Sequence, residues 1–158
     1  PGGGIESTLL TTAVEGAVPL DRWVRTLSGS ASAVRRAAAM AGRWLAAAHE
    51  NWVIPHDLKA SNLLVRPAAA DDLILLDLDN CAARRPVLTR DIVRNFAQFR
   101  RSFEHDLGFA EWQRFCVAYG RARGWSTARL RHVLAKVERR ARRRGMRNCA
   151  PATRGVGN

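Results

Sequence analysis

Pro55-His56-Asp57-Leu58-Lys59-Ala60-Ser61-Asn62-Leu63-Leu64-Val65, followed shortly by Leu75-Leu76-Asp77-Leu78-Asp79-Asn80, carries the spacing that decides the fold of this chain. Leu63-Leu64-Val65 and Leu73 to Leu76 are short apolar runs, and Pro67 to Asp72 between them is rich in turn-forming residues. Two apolar runs around a turn read as a β-hairpin. Asp57, Lys59 and Asn62 then stand at the entrance to the first strand of the hairpin, and Asp77 stands just beyond the second. Trp52-Val53-Ile54, closed by Pro55, is a further strand-like run ahead of the cluster.

An aspartate, a lysine two places on and an asparagine five places on, with a second aspartate after the next hairpin, match the spacing of the protein-kinase catalytic loop and metal-binding segment. Phosphoryl transfer is mainly positioning and charge neutralisation: one carboxylate orients the acceptor hydroxyl and another holds magnesium against the phosphates. On this reading Asp57 is the base. Asp77 and Asn62 are the Mg2+ ligands and contact the ATP phosphates through it, being oxygen donors suited to a hard cation. Lys59 reaches the transferred phosphoryl group. Taken singly, these residues have quieter readings, since Asp-Leu-Lys is a common surface turn, Asn62 can bond its own backbone and Asp77 beside Asp79 can be a loop acid pair. Their coincidence around a hairpin favours the kinase-like reading.

Two departures from the protein-kinase signature are informative. His56 directly precedes Asp57, where that signature has histidine two places earlier with arginine between. His56 is therefore read as a loop buttress and not as a catalytic residue. Leu78-Asp79 stands where Phe-Gly would follow the metal-binding aspartate, so regulation by a flipping phenylalanine is not expected; Asp79 either adds a ligand or faces solvent.

The chain has 158 residues, 47% of them hydrophobic, which suits one domain with a real core. Cys81, Cys116 and Cys149 are odd in number and widely spaced, which argues against a disulfide framework or a zinc knuckle and fits a reducing, cytoplasmic setting. The net charge of +12 is uneven: residues 1–79 carry 7 basic against 9 acidic side chains, and residues 80–158 carry 19 against 5. Such a field suits an anionic partner, although an arginine-rich composition with only two lysines also follows from GC-rich coding.

Along the chain, Thr8 to Val14 reads as a strand entering a turn at Glu15-Gly16, and Pro19 precedes a short helix with Asp21 in its first turn. Ala33 to Glu50 is the clearest helix, with Val34, Ala38, Ala41, Leu45 and Ala48 recurring at helical steps. Leu88 to His105, Phe109 to Arg123 and Thr127 to Arg144 are amphipathic, with Gly108, Gly124 and Gly145 at their ends. Trp44, Trp52 and Trp112 are expected in the core. The expected class is α+β: a mainly helical protein-kinase-like C-lobe at 7–145, with a small hairpin around the catalytic loop and a remnant hinge strand. Residues 1–6 are an N-terminal remnant and 146–158 a disordered tail.

The chain resembles the lipopolysaccharide kinase family, which phosphorylates 3-deoxy-manno-octulosonic acid (Kdo) or heptose in the inner core of bacterial lipopolysaccharide. His56 to Val65 is similar to its catalytic loop, Leu76-Asp77-Leu78-Asp79 to its metal-binding segment, and Arg94-Asn95-Phe96-Ala97-Gln98-Phe99-Arg100-Arg101-Ser102-Phe103 to its Arg-Asn-Leu-Ala-x-Leu-x-Arg-Ser pattern. The resemblance covers about residues 7–123. It implies a hinge over Thr8 to Leu27, where Val14, Glu15 and Gly16 meet the adenine of ATP. It also implies a glycolipid acceptor and a place in the cytoplasm, peripheral at the inner membrane. Arg94, Arg100 and Arg101 either contact an anionic sugar or lipid phosphate, which the planar guanidinium suits, or serve as helix surface charge and internal ion pairs. The sequence has no glycine-rich loop between strands and no strand lysine ahead of a helix glutamate, so the N-lobe half of the ATP site is expected to be missing and this fragment alone inactive.

Other readings remain open. A small-molecule kinase of the aminoglycoside or choline type shares the loop but usually has histidine or another residue where Lys59 stands. A protein kinase would carry an Ala-Pro-Glu segment, which is not evident here. A pseudokinase fits the same residues. A basic nucleic-acid-binding module would use Arg139 to Arg144, but no recognised nucleic-acid motif accompanies that run.

Overall fold

The computed structural model describes residues 14–67, 73–103 and 107–143. Its elements run β1 (Val18–Pro19), α1 (Leu20–Thr26), α2 (Ala31–Glu50), β2 (Val53–Pro55), β3 (Leu63–Val65), β4 (Leu73–Leu75), β5 (Cys81–Ala83), α3 (Thr89–Ser102), α4 (Phe109–Ala122) and α5 (Thr127–Arg143). The class is α+β, mostly helical with two small sheets, as the sequence leads one to expect.

The starts and stops follow local chemistry. The Ser30 hydroxyl accepts the Ala33 amide, so α2 begins at Ala31, two residues earlier than the apolar periodicity suggests. Gly124 takes φ 62° just after α4, and the Trp125 amide closes back on the Gly120 carbonyl at 2.8 Å. Ser126 then caps α5 through the Arg129 amide.

The core is a four-helix pack in which α2 lies against α4. Val34, Ala37, Ala38, Ala41, Leu45 and His49 of α2 face inward. Gly42 permits the close approach, because a Cβ there would stand 2.3 Å from the Phe115 carbonyl oxygen. From α3, Phe96 meets Trp112, Phe115 and Tyr119 of α4 edge to face, at centroid distances of 5.9, 5.1 and 4.8 Å. Such pairs add about 0.5–1.5 kcal/mol beyond the area they bury. Val133 and Val137 seat α5 on this cluster, and Arg100 of α3 pairs with Glu138 of α5.

The strands are short because they serve the loops between them. β3 and β4 form the expected hairpin, with Leu63 opposite Leu75, and β1 adds to its other edge with Val18 opposite Val65. β2 pairs with β5, Pro55 opposite Cys81. Strand β5 was not expected: Cys-Ala-Ala has no β signature, and pairing with β2 alone makes it extended.

Several expectations need correction or fall outside the described residues. Val14 is not in a strand; the strand on this stretch is Val18–Pro19, after the turn at Glu15-Gly16. Residues 1–13, 68–72, 104–106 and 144–158, including most of the expected hinge strand, the N-terminal remnant and the tail, lie outside the description. Trp52 is not a core residue. It sits just past the end of α2 with φ 59°, is 39% exposed, and carries the Arg85 guanidinium 3.0 Å over its ring.

Candidate active site

Two sheets bring the two acidic segments together. At one end, the pairing of β2 with β5 continues as the His56 amide donates to the Asn80 carbonyl at 2.7 Å. At the other, the pairing of β3 with β4 continues as the Leu76 amide donates to the Asn62 carbonyl at 2.8 Å. The loop of residues 56–62 and the segment 76–80 are thus stitched at both ends, and the side chains of Asp57, Lys59, Asn62 and Asp77 arise between the stitches.

Within the loop, Leu58 and Ala60 are fully buried while Asp57 and Lys59 keep side chains 38% and 56% exposed. Lys59 is extended at the mouth of the 3-10 turn that follows. Lys59 Nζ lies 2.5 Å from Asp57 Oδ2. A 3-10 turn at Ala60–Asn62 then swings Asn62 back, so that its Nδ2 donates to the Asp57 carbonyl at 3.2 Å. Spending the amide nitrogen there leaves the amide oxygen as the donor available to a cation.

Asp77 is in the left-handed region, φ 60° and ψ 57°, at the start of a second 3-10 turn, Leu78–Asn80. Aspartate and asparagine tolerate this conformation better than other non-glycine residues. The Asn80 amide holds Asp77 Oδ2 at 2.7 Å. Asp77, Leu78 and Asp79 are all exposed, so Asp79 faces solvent. Among the described residues no cluster of three or more His, Cys, Asp or Glu side chains could enclose a metal unaided. Asp77 and Asn62 nonetheless fit Mg2+, which is commonly held by one or two protein oxygens together with substrate phosphates and water.

A buried polar chain reaches this loop from the helices. Tyr119 OH lies 2.8 Å from His49 Nδ1, and His49 Nε2 lies 3.0 Å from Asn95 Oδ1. Asn95 Nδ2 donates to the Pro55 carbonyl at 2.5 Å and to Gln98 Oε1 at 3.1 Å, and Gln98 Nε2 donates to the His56 carbonyl at 2.5 Å. Burial pushes the His49 pKa down to about 4, so the ring is neutral at pH 7, and burial raises that of Tyr119. Ser102 Oγ accepts the Ala60 amide at 3.1 Å. Asn95, Gln98 and Ser102 belong to the family-like motif of the sequence, which by itself assigns them no task. Their signal was three polar residues at helical steps beside buried phenylalanines.

The remaining candidates sit as follows. Glu15 and Gly16 form an exposed turn beside half-buried Val14, closed by the Ala17 amide on the Val14 carbonyl, one short strand away from β3. Arg94 lies 3.8 Å from buried Asp91, and Arg100 is engaged with Glu138 and the face of Trp112; of the three arginines, Arg101 is the exposed one. Cys81 and Cys116 have thiols pushed up in pKa by burial, for Cys81 also by the Asp77 carboxylate, so neither is a thiolate nucleophile at neutral pH.

Comparison with known proteins gives a family and a fold. A profile described as "Lipopolysaccharide kinase (Kdo/WaaP) family" matches residues 1–119. A solved structure described as "WaaP in complex with acyl carrier protein" matches with a TM-score of 0.66 at 22% sequence identity, over 83% of this chain and 58% of that one. That likeness speaks to the fold, and this chain spans less than two thirds of the matched one. No curated protein matches the sequence.

Proposed function

This chain belongs to the lipopolysaccharide kinase (Kdo/WaaP) family, and on that premise we propose that it serves as the C-lobe of a phosphotransferase that moves the γ-phosphate of ATP to a sugar hydroxyl of bacterial lipopolysaccharide core. The observation that carries this reading is the double stitching of the Asp57 loop to the Asp77 segment. It holds Asp57, Lys59, Asn62 and Asp77 on adjoining, backbone-fixed turns, which supports the roles proposed for them.

In the proposed mechanism Asp57 accepts the hydrogen bond of the acceptor hydroxyl and aligns its oxygen with the γ-phosphorus. Lys59, held on Asp57 in this structure, turns to the transferring phosphoryl oxygens as their charge grows. Asp77 and Asn62 would hold Mg2+, which neutralises phosphate charge when bound. Val14, Glu15 and Gly16 are assigned to the adenine edge. Turnover by residues 1–158 alone is expected to be slight, because the sequence supplies no glycine-rich cover for the phosphates.

Exposed Arg129, Arg131, Arg139, Arg142 and Arg143 on α5 support contact with an anionic membrane surface, which suits a glycolipid acceptor and a cytoplasmic enzyme peripheral at the inner membrane. Among the described residues no helix is long and apolar enough to cross a membrane. The matched WaaP structure holds acyl carrier protein, which supports a protein partner here as well.

The test is transfer of labelled γ-phosphate by the gene product carrying this chain, offered core oligosaccharide, aminoglycosides and peptides in parallel. Label entering the oligosaccharide, and lost in Asp57→Asn, supports the proposal. Label entering only one of the other acceptors, or surviving in the variant, overturns it.

A further inference from the structure

We infer that Asn95, Gln98 and Ser102 of α3 are positioning residues for the catalytic loop, with Asn95 and Gln98 backed by His49 and Tyr119 in one polarised hydrogen-bond chain; this rests on the kinase reading above. The three side chains stand at steps of three and four along α3, so they share one face of the helix. They meet the loop in order: Asn95 holds the Pro55 carbonyl, Gln98 the His56 carbonyl and Ser102 the Ala60 amide. Pro55 and His56 lead directly into Asp57, and Ala60 precedes Asn62 by two residues. The backbone is therefore gripped just before Asp57 and again just after Lys59, two residues ahead of Asn62.

The direction of every bond in the chain is forced by its mouth. Two carbonyls require two donors, so Asn95 and Gln98 must present their nitrogens to the loop. The Asn95 oxygen is then turned to His49 Nε2, which must carry the proton. His49 Nδ1 must accept, and Tyr119 OH must donate. Asn95 is fully buried and both of its polar atoms are used. The buried part of the network, Tyr119, His49 and Asn95, is satisfied throughout, and such a network is rigid and specifies one arrangement. Fixing a base within tenths of an ångström is what positioning catalysis requires.

Gln98→Glu separates positioning from folding, because Gln98 is only half-buried and the substitution keeps its shape. The carboxylate can still accept from Asn95, but it cannot donate to the His56 carbonyl. In the gene product carrying this chain, kcat should fall about tenfold with KM for ATP within about twofold, and the Tm should barely move. Hydrogen exchange at the Asp57 to Asn62 amides should quicken about tenfold, a readout that needs no turnover. Gln98→Asn, too short to reach the carbonyl, should behave like Gln98→Glu. Unchanged loop exchange in both folded variants would sink the inference. If the wild type transfers no phosphate but loop exchange quickens as stated, the positioning stands and the kinase reading fails instead.

Discussion

Replacing Gly42 by alanine sets two well-measured effects against each other. In an ordinary helix interior the change stabilises by about 1 kcal/mol, because glycine has more backbone freedom to lose. Here the added methyl would stand 2.3 Å from the Phe115 carbonyl oxygen, 3.1 Å from its carbon and 3.2 Å from the Tyr119 nitrogen. Ordinary carbon contacts lie near 3.5 Å, so α2 and α4 must part by roughly 1 Å. All three obstacles are backbone atoms, so no rotamer change relieves them. Overpacking costs about 1–3 kcal/mol, and a backbone obstacle belongs at the upper end. The net expectation is a loss of about 2 kcal/mol, which moves a urea midpoint down by about 1 M at a slope near 2 kcal/mol/M. Equilibrium urea unfolding followed by tryptophan fluorescence reads it directly, since Trp112 sits on the affected helix. A midpoint raised by Gly42→Ala would refute the close-approach argument, leaving only helix propensity.

The buried chain makes further predictions. Because the folded pKa of His49 is lowered to about 4 from an ordinary 6.5, the unfolded state binds the proton first as pH falls. Stability from this group is complete above about pH 6.5 and falls between there and pH 4 by about 3 kcal/mol. The positive charges of Arg123 and Arg94 oppose protonation of the ring, while Asp91 and the Asn95 hydrogen bond favour it. Urea unfolding at pH 7 and pH 4.5 should show most of this loss, and His49→Gln should flatten it. Tyr119→Phe removes the donor to His49 Nδ1 and leaves a buried acceptor unmet, a cost of about 1–3 kcal/mol in the same assay. Asp77→Asn keeps a residue that tolerates the left-handed backbone, so its urea midpoint should match the wild type while Mg2+-dependent ATP affinity is lost.

The parts of this fold that repeat were legible in the sequence. Val34, Ala38, Ala41 and Leu45 announce α2 by their period, and Leu63 to Leu75 announces a hairpin by two apolar runs and a turn. The spacing of Asp57, Lys59, Asn62 and Asp77 was legible as a candidate catalytic loop because such a constellation lies in a short local stretch. What stayed hidden depends on partners distant in sequence. Cys81–Ala83 becomes a strand only because Val53–Pro55 lies beside it. Trp52 looked like core by residue type, but the end of α2 turns it outward under Arg85. The sequence alone does not show the neighbours that the fold sets beside Arg94 and Arg100, namely Asp91 and Glu138. His49, in a stripe of alanines, became meaningful only when Tyr119, seventy residues on, was placed against it.

We propose a division of labour between two carboxylates, Asp57 for the hydroxyl and Asp77 for the metal. Steady-state phosphate transfer by the gene product carrying this chain, measured against ATP and Mg2+ for wild type, Asp57→Asn and Asp77→Asn, tests it most directly. Asp57→Asn should lower kcat by about 10²–10⁴ with KM for ATP little changed, and Asp77→Asn should abolish the Mg2+ dependence of ATP binding. Full turnover in Asp57→Asn, or unaltered Mg2+-dependent ATP binding in Asp77→Asn, would contradict the account.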